Sequence, residues 1–177
     1  DSLIHVAGQL NEKSQGGKPD GINARKDGLI TVPRGPNGWR RSVYVLQRRT
    51  QIPTLLTTFD LPRMEPNCVK RPESTVAPQA LHLLNDATVN QLAGHFAKRL
   101  IKEAKDISAQ LNRAYWLALS RAPRNEELLL DRSTLEQLSA HWKKELGDKG
   151  TVEAIHEKAL TNYCRALLNS SEFQYVD

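Results

Sequence analysis

Sulfur is scarce in this chain: two cysteines, Cys68 and Cys164, and one methionine among 177 residues. No C-x-x-C pair and no C-x-x-C-H can be built from them, which excludes a cysteine-rich zinc site and a covalently attached haem. No cofactor is therefore expected in this chain. One disulfide at most is available. A 68–164 bridge would close a long loop and contribute about 4 kcal/mol in the chain-entropy account; two buried thiols are the alternative. Long apolar runs are missing too. Nothing approaches the ~20 apolar residues of a membrane-crossing helix, and the chain does not open on a basic-then-apolar leader. It opens on "DSLIHVAGQL", without Met and in what reads as the middle of an amphipathic helix, the expectation for a fragment or a processed product.

The short patterns that carry hydrolytic, metal and nucleotide chemistry are absent as well. There is no H-E-x-x-H, and no two of the five histidines stand four apart. Glu153 and His156 make a single Glu-x-x-His, whereas a helical di-iron site needs two such pairs and two further glutamates. Cys164 lies beyond His156 on the same helical stretch by about 12 Å of rise, too far for a Cys–His dyad. Ser74 and Thr75, in "RPESTVAPQALHLLND" (71–86), belong to neither G-x-S-x-G nor S-x-x-K. Their hydroxyls suit a helix cap, with Pro78 in the first turn. "GPNG" lacks the spacing of a phosphate-binding loop. No catalytic residue and no metal ligand is assigned.

What the first half does have is positive charge. Residues 1–80 hold 12 Lys/Arg against 7 Asp/Glu, while 81–177 hold 13 of each, so the whole formal charge of +5 lies in the Pro- and Gly-rich half. Arg40, Arg41, Arg48 and Arg49, with Trp39 and Tyr44 beside them as stacking surfaces, are candidate contacts for an anionic polymer such as an acidic or sulfated polysaccharide. Lys70 and Arg71 extend that set. A charge of +5 is small for a nucleic-acid binder, so nucleic acid is not expected. The same arginines would also guard a strand edge against unwanted pairing.

Helix-period stripes fill the second half. They run through Val89, Leu92, Phe96 and Leu100, then Ile107, Leu111, Ala114, Tyr115 and Ala118. Leu128, Leu135, Leu138 and Trp142 form a third stripe, and Ile155, Ala159, Tyr163 and Leu167 a fourth. Asn85 or Asp86 and Thr151 are the expected caps. In the first half, residues 1–11 have helical spacing, and "GLITVPRGPNG" (28–38) allows a short strand before Pro33. "WRRSVYVLQRR" (39–49) alternates, with recurring β-branched residues, and reads as a strand. "PTLLTTFD" reads as a short helix with Pro53 in its first turn. The expected fold is mainly α: a bundle of about four to six helices over 81–177, with an irregular basic segment over 1–80. That segment holds one or two short strands and packs on the bundle as one integrated domain.

Five segments in order, "RRSVYVLQRR", "LLTTFDLP", "STVAPQALHLLND", "LNRAYWLALSRAPRNEELLL" and "CRALLNSSEFQYVD", together resemble the C-terminal planctomycete-specific domain of unknown function. Domains of that kind close large exported planctomycete proteins that commonly carry cytochrome-c-like segments as well. The resemblance spans about residues 1–177 but only the latter part of the family domain. It implies export to the periplasm or beyond and a parent polypeptide with a haem-bearing region, and export in turn favours a Cys68–Cys164 disulfide over two thiols. It implies no catalytic residues, because the family has no established activity. The expected function is a helical module that packs against and positions other domains of the same parent, leaving an exposed apolar patch near residues 1–11. An anionic-polymer module is the alternative. A redox-linked enzyme, with His82 beside the Ser74/Thr75 cap, Asp60 and the arginines lining a cleft, is the third reading.

Overall fold

The structure, a computed structural model, describes residues 1–13, 16–35, 38–61 and 76–175. In chain order the elements are α1 (Ser2–Val6), β1 (Asn23–Ala24), β2 (Ile30–Thr31), α2 (Thr54–Thr58), α3 (Val76–Asn85), α4 (Ala87–Glu103), α5 (Ile107–Leu119), α6 (Asn125–Leu146), α7 (Val152–Leu168) and α8 (Ser171–Gln174). The protein is mainly α, with a single two-stranded sheet among the described residues. By its internal contacts the chain divides into two units, Asp1 with Gln9–Leu83 and Ser2–Gly8 with Leu84–Asp177. Among the described residues no helix is long and apolar enough to cross a membrane.

The second unit is a helical bundle whose helices start where short polar side chains cap them. Asp86 accepts from the Thr88 and Val89 N–H groups at 2.8 and 3.0 Å to open α4. Asp106 caps α5 through Ala109, and Thr151 caps α7 through Ala154. At α6 the roles are reversed: Glu127 reaches back and accepts from the Arg124 N–H at 2.7 Å. The buried stripe of α4 is Val89, Leu92, Ala93, Phe96, Ala97 and Leu100. That of α7 is Ala159, Leu160, Tyr163, Cys164, Leu167 and Leu168. These two helices make the most extensive pair, and α7 packs on α6 as well. Alanines at 93, 97 and 159, all fully buried, let the backbones come close. Phe96 is fully buried, so truncating it to Ala would cost roughly 3–5 kcal/mol.

The opening helix is shorter than the sequence spacing predicts. It ends at Val6, and Gly8 turns away with φ +67°. Arg99 of α4 donates from Nη1 to the carbonyls of His5 and Val6 at 3.1 and 2.9 Å, so a cation sits on the C-terminal end of α1. Val6 and Ala7 are buried and Leu3 and Ile4 half-buried. The apolar patch expected near residues 1–11 is therefore not exposed; α1 spends those side chains on its packing against α4.

The first unit is mostly turns. Strands β1 and β2 pair antiparallel, Asn23 opposite Thr31 and Ala24 opposite Ile30. The turn between them has Gly28 at φ +85° and Asp27 Oδ1 accepting from the Leu29 N–H. Thr54 of α2 accepts from the Ile30 N–H at 2.9 Å. The predicted strand over 39–49 is absent. Ser42–Tyr44 form a single 3-10 turn, flanked by isolated bridges of Trp39 with Leu10 and of Val45 with Asp20. The reason is the partner: those bridges fall beside a Gly- and Pro-containing stretch that offers no continuous ladder. The expected helix over "PTLLTTFD" is present as α2, with Pro53 at its cap rather than inside it.

Candidate functional site

Two of the arginines predicted as ligand contacts, Arg40 and Arg41, have carboxylate partners of their own. Arg40 Nε lies 3.1 Å from both carboxylate oxygens of Asp20. Its Nη1 donates to the Gly16 carbonyl and its Nη2 to that of Lys18, each at 2.7 Å. The guanidinium also lies 5.0 Å from the centre of the Tyr44 ring. Arg40 thus clamps the loop before β1. Arg41 is exposed and meets Asp1, whose other oxygen accepts from the Ser42 N–H at 2.7 Å. Trp39 is buried, with the Arg34 guanidinium 5.7 Å from its ring centre. Arg48 and Arg49 are exposed. Lys70, Arg71, Ser74 and Thr75 lie outside the described residues, as does Cys68. His82 sits half-buried on α3 and Asp60 follows α2 at φ +57°.

The helical unit has a polar hub that sequence reading did not single out. Arg121 directs both Nη atoms at Glu127, each at 2.7 Å, and holds Glu172 through Nη2 at 2.8 Å. Its guanidinium stacks 5.1 Å from the Tyr115 ring centre. Arg121 and the Arg124 N–H hold the Glu127 carboxyl at about 2. Nearby, Tyr163 donates to Asp131 Oδ2 at 2.8 Å. Burial first, and then Asp131, push the Tyr163 and Tyr115 hydroxyls well above the usual phenol range. Burial does the same to the Cys164 thiol, which is free. The disulfide to Cys68 that the family resemblance favours is thus not formed by Cys164 in this structure. A nucleophile needs a lowered pKa or a neighbouring base; these three groups keep their protons instead. Among the described residues no three His, Cys, Asp or Glu side chains converge where a metal ion could be held.

An open cavity of about 450 Å³ lies between α4 and α7. Gln91, Gly94, His95 and Lys98 line it from α4, at the i, i+3, i+4, i+7 spacing of one helix stripe. From α7 come Glu157, Lys158, Thr161 and Asn162, with Trp142 of α6 in the wall. Lys98 Nζ pairs with Glu157 at 3.5 Å, and Lys158 Nζ lies 4.6 Å from the Trp142 ring centre. The only forewarning in the sequence is a glycine, Gly94, inside an otherwise uninterrupted helix.

Against protein families, residues 1–135 match PSD1, protein of unknown function (DUF1553). The chain belongs to this family. No curated protein and no solved structure matches it. The DUF1553 match takes in α1 to α5 and stops inside α6, so α7 and α8 lie beyond it. Yet α7 is the main packing partner of α4. The folded helical unit therefore extends past the matched DUF1553 residues, and the cavity takes one wall from each side of that boundary.

Proposed function

We propose that this chain is a packing module that positions other domains of a larger exported protein, a haem-bearing one among them. The supporting observation is the exposure of three large apolar side chains on α5 and α6: Trp116 at 55%, Leu129 at 69% and Leu130 at 68%. The two helices pack on each other. A lone exposed leucine carries no message. Here, however, three successive leucines, 128 to 130, each advance about 100° around α6, so they cannot all face one core. The fold needs only the half-buried Leu128; polar residues at 129 and 130 would serve it as well. Their retention fits a surface that another domain covers. An acidic-polymer site draws less support, because the Arg40 donors are already engaged by Asp20 and two carbonyls.

The test is a titration of the chain with the region that precedes it in the parent polypeptide, using the wild type and a W116S/L129S/L130S variant. Burial of such side chains contributes about 1.5–3 kcal/mol each, so the triple variant should bind about 100-fold more weakly or worse. Its thermal midpoint should stay unchanged. Equal affinity of the two proteins would overturn the reading.

A further inference from the structure

We propose that the cavity between α4 and α7 is a binding site for a small, hydroxyl-rich monocarboxylate of the size and chemistry of a hexuronic acid. The first support is Gly94. It lies in the interior of α4, where glycine lowers helix stability relative to alanine. Nothing in the backbone asks for it, since its φ is not positive. Nothing in the packing asks for it either: a Cβ added there would meet no atom within 4 Å. Where α4 needs a small side chain for packing it uses Ala93 and Ala97, both fully buried. The space left by the missing Cβ opens into the cavity, and a bare backbone there lets a ring lie close against the helix.

The second support is the chemistry of the walls. Two ammonium groups, Lys98 and Lys158, and one carboxylate, Glu157, line the cavity; Lys98 pairs with Glu157, which leaves the charge of Lys158 for one ligand carboxylate. Gln91 and Asn162 each carry an amide with both donors and an acceptor, the pairing that neighbouring hydroxyls of a sugar ring require. The Thr161 hydroxyl donates to the Glu157 carbonyl at 2.7 Å, which leaves its oxygen to accept. The Trp142 indole N–H is buried with no acceptor among the described residues, in a wall that an oxygen-rich ligand would enter. Its ring is covered by Lys158, which would turn from the ring to the ligand carboxylate. A volume of about 450 Å³ falls within the usual range of small-molecule sites.

The experiment is a titration of the whole chain with sodium glucuronate, followed by the indole N–H resonance of Trp142, identified by comparison with W142F. Glucose tests the carboxylate and acetate tests the hydroxyls. Saturable shifts with glucuronate, at least tenfold weaker with either control, are expected. G94L should abolish them by placing a branched side chain where the ring would lie against α4. G94A should weaken binding while raising the thermal midpoint by about 1–4 °C, because alanine is the better helix former. This opposite movement of affinity and stability separates a ligand role from a structural one. No saturable shift with glucuronate, equal binding of glucose, or binding untouched by G94L would each overturn the proposal.

Discussion

His156 Nε2 stands 2.8 Å from Gln110 Oε1, and the histidine is the donor of that pair. The direction is fixed from the far end of the amide, because Gln110 Nε2 donates to the Ala104 carbonyl at 3.0 Å and leaves its oxygen toward the ring. Gln110 is 3% exposed, one of two buried polar side chains among the described residues. It ties the C-terminal end of α4 to α7 through α5.

Replacing this amide should therefore be costly although the site accepts an apolar shape. Gln110→Leu leaves the Ala104 carbonyl and the His156 N–H without their partner. The expected loss is roughly 1–3 kcal/mol, read from urea unfolding. A midpoint equal to that of the wild type would mean that water replaces both bonds and that the amide ties nothing.

Acid should loosen the helical unit in a defined window. The Glu127 carboxyl is held at about 2 in the folded protein against an ordinary value of 4.5. A depressed folded value stabilises the fold above 4.5, and that contribution is lost as pH falls from 4.5 toward 2. Glu172 and Glu103 are lowered in the same direction by their arginine partners. Unfolding midpoints across this range should fall with pH in the wild type and fall less steeply in Glu127→Gln. An identical slope in the variant would remove Glu127 from the account.

Cys164 offers a clean report on the core. Its thiol is wholly buried on α7, and burial alone raises its pKa. Iodoacetamide should leave it unmodified in the native protein and modify it in urea without any reductant, as intact mass and peptide mapping would show. Rapid native labelling would mean that α7 opens locally at low cost.

The helices were legible because their signal is local and repeated. Val89, Leu92, Phe96 and Leu100 recur at helical spacing, and the caps at Asp86 and Thr151 stand where those stripes begin. The first unit was less legible because its order depends on partners distant in sequence. Alternation over 39–49 signals a strand only if a ladder lies alongside, and among the described residues the segment makes only isolated bridges, at Trp39, Val45 and Arg48. The role of Arg40 was hidden for a related reason: two of its acceptors are backbone carbonyls, at Gly16 and Lys18, which no side-chain pattern announces. The cavity residues were hidden differently. Each reads as an ordinary solvated position on its own helix, and only the pairing of α4 with α7 brings Lys98 to Glu157.

The border of the recurring family stretch carries a practical warning. A piece trimmed at residue 135 would end partway along α6 and lose α7 altogether. The greasy side of α4, from Val89 to Leu100, would then have lost its main cover. Such a truncate would clump during expression, and its insolubility would say nothing about how well the intact polypeptide folds. Scissors guided by the family border would cut through the keystone.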